Sequence, residues 1–263
     1  MGVIRTDNWL TEMYSNPVTL CKKLISYFPK GTSEREIYHH LHLHGMYQPL
    51  EHVRESPLDS LPVNIWDHVN REYKKLQKEW NGPDVPIFLF PSDETNRRIS
   101  REFNGKSGLA FHNKLFLFFV RQNTKEEIKA VLTHEYNHVC RLSKYKNKEA
   151  DYTLLDTIIL EGMAENAVRE RCGDRSLARW TSYYSENQLE GILTKIIQPN
   201  FSLNRTEKKH NDLLYGKGFY PKMAGYCTGY YLVKNYLEAN NLKSNQVLEI
   251  GSEKFIEGLT KKH

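Results

Sequence analysis

Residues 124–142 read Thr-Lys-Glu-Glu-Ile-Lys-Ala-Val-Leu-Thr-His-Glu-Tyr-Asn-His-Val-Cys-Arg-Leu, and this stretch decides the fold. Thr124 and Glu127 have the spacing of a capping box, in which a hydroxyl and a carboxylate satisfy free N–H groups at the start of a helix. The apolar residues that follow repeat with the helical period. The sequence therefore predicts a helix that runs to about Leu142.

The middle of this predicted helix carries the pattern H-E-x-x-H, at His134, Glu135 and His138. Residues four apart lie on one side of a helix, one turn apart. Both imidazoles can therefore bind one Zn²⁺ at about 2.0–2.1 Å. Glu135 lies beside the metal rather than on it, and we expect it to act as the general base toward the zinc-activated water. The alternative is a pair of histidines that make only structural hydrogen bonds.

A second predicted helix, from about Leu154 to Arg171, carries Glu161 and Glu165 on either side of Gly162. Burying two carboxylates among apolar residues is costly unless cationic partners are present, and a metal with its histidines would supply them. We expect Glu161 to be the third ligand and Glu165 to orient a ligand histidine through its other ring nitrogen. The reversed assignment and a solvent-exposed pair are the alternatives. Gly162, which is costly inside a helix, predicts close approach to the histidine-bearing helix.

The segment Thr133–His138, followed by Leu154-Leu155-Asp156 and Leu160-Glu161-Gly162, resembles the bacterial YjaZ-type predicted zinc-dependent proteases. The run Glu161–Glu165 after H-E-x-x-H also resembles the gluzincin metallopeptidases, with Leu160 in place of their usual Asn. The resemblance implies an α+β, mostly helical chain with a zincin-like core, which consists of a small sheet plus the active-site helix. It also agrees with Zn²⁺ as the expected cofactor. From the chemistry of the motif, a peptide or protein is the expected substrate.

A hydrolytic site also needs a donor that stabilises the developing oxyanion. Gluzincins often use a Tyr or His from the C-terminal helices, and Tyr226 and Tyr230 lie one helical turn apart in that region. We predict that Tyr226 is this catalytic donor, with Tyr230 and His210 as alternatives. Aromatic residues that simply form the core face of an amphipathic helix are an equally good interpretation.

The chain is predicted to divide into a helical N-terminal region, residues 1–82, and a metallopeptidase domain, residues 83–263. A capping box at Ser33 predicts a helix to about His44. A second helix is predicted from roughly Leu61 to Trp80, because apolar residues recur there at helical spacing. It ends at Asn81-Gly82-Pro83, which is a strong stop signal.

The sequence beyond this boundary changes to patterns typical of strands. Val85–Phe90 is a short apolar run, and Leu109–Phe111 and Leu115–Val120 flank a polar turn in the manner of a β-hairpin. By analogy with other zinc peptidases, Phe111 to Val120 is expected to supply the sheet edge along which an extended peptide lies.

Composition excludes several other classes. The net charge of +5 is spread along 263 residues, so we expect no nucleic-acid partner. No apolar stretch reaches the ~20 residues needed to span a bilayer. Four cysteines lie far apart without a C-x-x-C pair, which indicates a reducing compartment, by default the cytoplasm. Motifs for nucleotide binding and for serine hydrolysis are lacking.

The run His39–His44 is interpreted as core and surface histidines, with an accessory metal site as the alternative.

Two functions from different classes follow from these observations. The first is a zinc metallopeptidase that hydrolyses peptide bonds, with Glu135 as general base. The second is a regulatory protein that keeps the metallopeptidase fold and binds zinc without turnover. Loss of Glu135 would favour the second function, and Glu135 is present.

Overall fold

The computed structural model describes residues 2–49, 57–145 and 147–257. Helix makes up 62% of the structure and is accompanied by a four-stranded mixed sheet, so the predicted α+β, mostly helical class is confirmed. The chain forms two compact units, Met1–Val139 and Cys140–His263. The division into a helical N-terminal region, residues 1–82, and a metallopeptidase domain, residues 83–263, stays a prediction. In the described ranges, no helix combines the length and apolarity needed to cross a bilayer.

The sheet lies in the first unit and has the order β1-β2-β4-β3. Its strands are β1 (Gly2–Val3), β2 (Pro86–Pro91), β3 (Ser107–Phe111) and β4 (Lys114–Phe119). β1 and β4 each run parallel to β2, whereas β3 runs antiparallel to β4 after a two-residue turn. Every residue of β2 and β4 is buried, as expected for the central strands of a covered sheet. The predicted strand and hairpin are confirmed. The expectation that Phe111 to Val120 supplies the sheet edge is wrong, because β4 pairs with a strand on each side and, in the described residues, β3 is the edge strand.

The helices of the first unit largely follow their sequence signals. They are α1 (Thr6–Met13), α2 (Pro17–Leu20), α3 (Glu34–Leu43), α4 (Ile65–Trp80), α5 (Arg97–Phe103) and the greater part of α6 (Lys125–Lys144), with short 3₁₀ helices at Cys21–Tyr27 and Pro57–Ser60. α3 begins at the predicted capping box of Ser33. α4 starts later than the predicted Leu61. The Ile65 N–H donates a hydrogen bond to the Pro62 carbonyl, which forms a turn before the helix, and Asn64 has a left-handed backbone conformation. α4 ends at left-handed Asn81, as predicted.

Helix α6 begins at its predicted capping box. The Thr124 N–H donates to Glu127 Oε2 at 2.9 Å, and the Glu127 N–H donates to Thr124 Oγ1 at 3.2 Å. Glu127 also accepts hydrogen bonds from the Lys106 ammonium at 2.8 Å and the Asn104 amide at 2.6 Å. Burial by itself would raise the pKa of Glu127, but these donors together lower it to about 2. The start of α6 is therefore tied to the segment that precedes β3.

The middle of α6 is held by Tyr136, which is completely buried. Its hydroxyl donates to the Pro83 carbonyl at 2.9 Å. Its ring meets Tyr73 edge-on at 5.2 Å and stacks on Trp80 at 5.9 Å. Such aromatic pairs favour defined orientations, so these contacts with α4 fix the rotation of α6 about its own axis.

The second unit is built mainly from helices. They are α7 (Leu154–Cys172), α8 (Glu186–Ile192), α9 (Lys208–Tyr215) and α10 (Ala224–Asn240), with 3₁₀ helices at Glu149–Asp151, Asp174–Ser176, Arg179–Ser182, Gln198–Asn200, Ser244–Gln246 and Ser252–Ile256 and a π-helical turn at Leu193–Ile197. α7 starts at a capping box formed by Thr153 and Asp156 and covers the predicted range. Apolar residues of α7 and α10 share one core cluster, which includes Ile158, Met163 and Val233.

Gly162 allows α7 to approach α10 closely, and the sequence did not indicate this partner. A Cβ atom at Gly162 would lie 2.5 Å from the carbonyl carbon of Gly229 in α10. At Gly229, a Cβ atom would overlap the backbone of Ile158 in α7. The predicted approach of Gly162 to the histidine-bearing helix stays a prediction. Side chains at these glycines would separate α7 and α10, whose packing buries the core of the unit.

The last turn of α6 belongs to the second unit and is held by Arg141, which is 1% exposed. Its Nη1 donates to the carbonyls of Leu248 and Ile250 at 2.8 and 2.7 Å, and its guanidinium lies 3.5 Å from the centre of the Tyr145 ring. Because its hydrogen bonds go to neutral carbonyls, desolvation lowers the pKa of Arg141. The buried charge ties the end of α6 to the C-terminal segment.

The acid stability of the first unit is expected to depend on Glu127. A carboxylate whose pKa is depressed from 4.5 to about 2 contributes stability above pH 4.5, and this contribution is lost as the pH falls toward 2. Glu127→Gln should lower the free energy of unfolding by about 1–2 kcal/mol at pH 6 and by less at pH 3. Urea unfolding at both pH values measures this difference. Glu126→Gln, exposed in the same turn, is the control, and an equal loss at both pH values would contradict the assignment.

Candidate metal centre

Both histidines of the H-E-x-x-H motif lie on one side of α6. The rings of His134 and His138 have centroids 4.7 Å apart and are almost perpendicular, at 89°. His138 is 8% exposed, and His134 is half-buried. The spacing of four residues therefore produces the neighbouring pair of imidazoles that the sequence predicts.

Glu161 lies on α7 and is half-buried. The helix that carries it starts at the capping box of Asp156, whose other oxygen accepts hydrogen bonds from Ser252 at 2.7 Å and Tyr145 at 3.2 Å. Glu161 Oε1 accepts a hydrogen bond from the Tyr226 hydroxyl at 3.4 Å. The fully satisfied start of α7 and its close packing with α10 thus determine where Glu161 lies in the second unit.

The ligand atoms of His134, His138 and Glu161 lie within 4.8 Å of one another, so this group could hold a metal ion. Two imidazole nitrogens and one carboxylate oxygen are a donor set found in catalytic zinc sites, which leave a fourth position open. The donor chemistry therefore fits zinc. In the part of the chain that the structure describes, these three residues are the only such group. The run His39–His44 therefore does not form a second group there, although the rings of His40 and His44 are 4.9 Å apart.

Glu135 is half-buried and lies against the backbone of strand β3. The nearest atoms to a Cβ built on Gly108 all belong to Glu135, with Cδ at 2.6 Å and Oε1 at 2.8 Å. The strand is therefore in direct contact with the side chain of the predicted general base. The sequence did not indicate Gly108, because it directly precedes the predicted strand Leu109–Phe111. In the structure it lies inside β3, where a glycine is a known signal of close approach.

Glu165 is 4% exposed, and its Oε1 accepts the backbone N–H of Ala178 at 2.6 Å. This hydrogen bond ties α7 to the segment that follows it. The same carboxylate was expected to orient a ligand histidine, and that role stays a prediction.

The aromatic residues around Tyr226 form one cluster in the second unit. The half-buried ring of Tyr226 has its centroid 5.3 Å from that of the Trp180 ring and 5.6 Å from that of the Tyr215 ring. Tyr230, the first alternative, is 8% exposed, and burial raises its pKa to about 12. His210, the second alternative, is 2% exposed, and its Nε2 lies 3.0 Å from Thr157 Oγ1. Of the three candidates, Tyr226 has a hydrogen bond to Glu161.

Comparison with known proteins agrees with this possible metal site. Residues 65–257 match the family described as "Predicted Zn-dependent protease (DUF2268)", and the chain belongs to that family. It is similar to YjaZ, an uncharacterized protein of Bacillus subtilis (strain 168), with 39% identity over 261 residues that cover 98% of this chain and 100% of YjaZ. The resemblance expected from the sequence is confirmed.

A more distant relative comes from the same organism. YjfC of Bacillus subtilis (strain 168), also uncharacterized, is 20% identical over 213 residues, which cover 78% of this chain and 69% of YjfC.

The two carboxylates of α7 should behave differently when metal is removed. We expect one Zn²⁺ per chain, lost from the double variant His134→Ala/His138→Ala. Glu161→Ala should lose zinc to a mild chelator because a direct ligand is gone. Glu165→Ala should keep zinc with an affinity weakened ~10–100-fold, as is typical when only the orientation of a ligand is disturbed.

Metal analysis during dialysis against graded chelator measures both effects. The reversed result, with zinc retained by Glu161→Ala and released by Glu165→Ala, would exchange the two assignments. Full zinc occupancy in the double histidine variant would rule out this site.

Proposed function

We propose that this protein is a zinc-dependent metallopeptidase with a zincin-like core, made of the four-stranded sheet and helix α6. The observation that carries the proposal is the group His134, His138 and Glu161, whose ligand atoms lie within 4.8 Å of one another. Glu135, next to His134 in the chain, gives this group a carboxylate that can move protons. Membership in a family of predicted Zn-dependent proteases supports the same conclusion.

The proposed chemistry is hydrolysis of a peptide bond. When bound, zinc supplies Lewis acidity, which polarises a carbonyl group and lowers the pKa of water. The carboxylate of Glu135 accepts a proton from the attacking water and returns it to the nitrogen of the leaving amine. Glu165 fixes the orientation of a ligand histidine, which keeps the donor set in one geometry.

Tyr226 is proposed as the donor to the developing oxyanion. Its hydroxyl already donates to Glu161 Oε1, so it lies next to the proposed third ligand. At 3.4 Å this hydrogen bond is long, and a shorter one to a developing negative charge can replace it. The packing of its ring between Trp180 and Tyr215 limits the movement of the hydroxyl.

A substrate peptide is proposed to lie along β3. In the described residues this strand is at the edge of the sheet, and all five of its residues are half-buried rather than covered. An edge strand offers backbone N–H and C=O groups to an extended peptide. Gly108 of this strand contacts Glu135, which would bring the peptide to the general base.

A cytoplasmic location is proposed from the cysteines. All four lie in the described residues and form no disulfide. Burial raises the pKa values of Cys21 and Cys227 to about 12, which disfavours their thiolate forms. Such cysteines fit a reducing compartment.

The role of Glu135 is tested by replacing its carboxylate with an amide. Glu135→Gln should keep one zinc per chain, since this residue is not a ligand, and should abolish hydrolysis of a broad peptide library. Zinc content and cleavage, followed by mass spectrometry, are measured on the same samples. A zinc-loaded wild type that cleaves no peptide would instead favour the alternative function, a non-catalytic zinc-binding regulatory protein.

Removing the hydroxyl of Tyr226 should slow the reaction without affecting the metal. Loss of one oxyanion donor costs ~100–1,000-fold in kcat, so Tyr226→Phe should show a loss of this size with nearly unchanged KM and zinc content. Tyr230→Phe is the matched control, and its kcat should stay close to that of the wild type. If the two variants exchange these results, Tyr230 is the donor.

A further inference from the structure

We propose that Gly108 is a positioning residue for Glu135, because the missing side chain at this point of β3 provides the space in which the Glu135 side chain lies. The proposal rests on the proposed function, since it concerns the residue that moves the proton. It adds a requirement on the sheet of the first unit to the placement of the proposed general base.

The contact at Gly108 is specific to one side chain. The three atoms nearest to a Cβ built there are Cγ, Cδ and Oε1 of Glu135, and Cδ and Oε1 would lie only 2.6 and 2.8 Å away. Separations below 3.0 Å essentially never occur for real Cβ atoms. An alanine at position 108 therefore cannot coexist with Glu135 in its present conformation.

Backbone conformation does not explain the glycine. Gly108 lies within β3 and pairs with Leu117 of β4 in regular antiparallel register. It is not among the glycines with positive φ, so an alanine could adopt the same backbone angles. What an alanine would change at this position is the space beside Glu135.

The two backbones that face each other here are both fixed. β3 is paired with β4, and its first residue is also anchored by a hydrogen bond from Ser107 Oγ to the His44 carbonyl at 2.8 Å. On the other side, α6 is held next to Glu135 by the buried Tyr136. The side chain of Glu135 is therefore the part that must move when a methyl group is added.

Movement of Glu135 has a defined consequence. A clash with Cγ and Cδ is relieved by rotation to another staggered conformation, which carries the carboxylate away from its present place. Displacement of a reacting group by ~1 Å can cost ~100-fold in rate. His134 and His138 are not among the clashing atoms, so zinc binding should be preserved.

The decisive experiment combines Gly108→Ala with Glu135→Ala. In metal-free protein, Gly108→Ala should lower the Tm by about 2–4 °C when Glu135 is present and have no such effect in the Glu135→Ala background, where the clash is gone. Gly191→Ala is the control, because a Cβ there meets nothing within 4 Å. Its effect should be the same in both backgrounds.

Kinetics of the zinc-loaded enzyme provide the second measurement. Gly108→Ala should reduce kcat ~100-fold or more with nearly unchanged KM and zinc content. An unchanged kcat would overturn the proposal. A raised KM with normal kcat would also overturn it, because the methyl group would then obstruct only the binding of substrate. Equal Tm changes in both backgrounds would also overturn it. If zinc-loaded wild type cleaves no peptide, the proposed function fails, while the Tm comparison still decides whether Gly108 holds Glu135 in place.

Discussion

The position of α6 is the constraint on which the candidate site depends, because His134, Glu135 and His138 all lie within one and a half turns of it. A helix fixes the relative directions of its own side chains, but its rotation and depth are decided by what it packs against. In the first unit, Glu127 anchors its start and Tyr136 anchors its middle. Neither residue carries the chemistry, yet both determine where the histidines point.

The second unit satisfies a comparable constraint through close helix packing. Gly162 and Gly229 bring the backbones of α7 and α10 closer than any side chain would allow. As a result, Tyr226 of α10 reaches Glu161 of α7 with its hydroxyl. The absence of two side chains thus places a proposed ligand and a proposed oxyanion donor within hydrogen-bond distance.

Buried polar groups with several partners hold the second unit together. Asp156 caps α7 with one oxygen and accepts hydrogen bonds from Tyr145 and Ser252 with the other. Arg141, almost fully buried, is satisfied by two backbone carbonyls and an aromatic ring. Removing one partner of such a group leaves a costly unsatisfied charge, so these contacts hold the helices in a single arrangement.

The sequence by itself determined the local structure and the chemical character of the candidate site. The capping boxes at Thr124 and Thr153 marked the starts of α6 and α7, and the spacing of His134 and His138 predicted adjacent imidazoles. These features depend on residues within four positions of one another, so they can be read without knowing the fold.

Only the tertiary structure decided which distant residues meet. The contact of Gly108 with Glu135, the packing of Gly162 on α10 and the hydrogen bond from Tyr226 to Glu161 join residues far apart in the chain. The sequence marked Gly162 as a point of close approach but did not indicate α10 as a helix that packs there. Local periodicity shows that a residue packs against some partner. The identity of that partner depends on how helices and strands fold against one another, and a short stretch of sequence does not specify this.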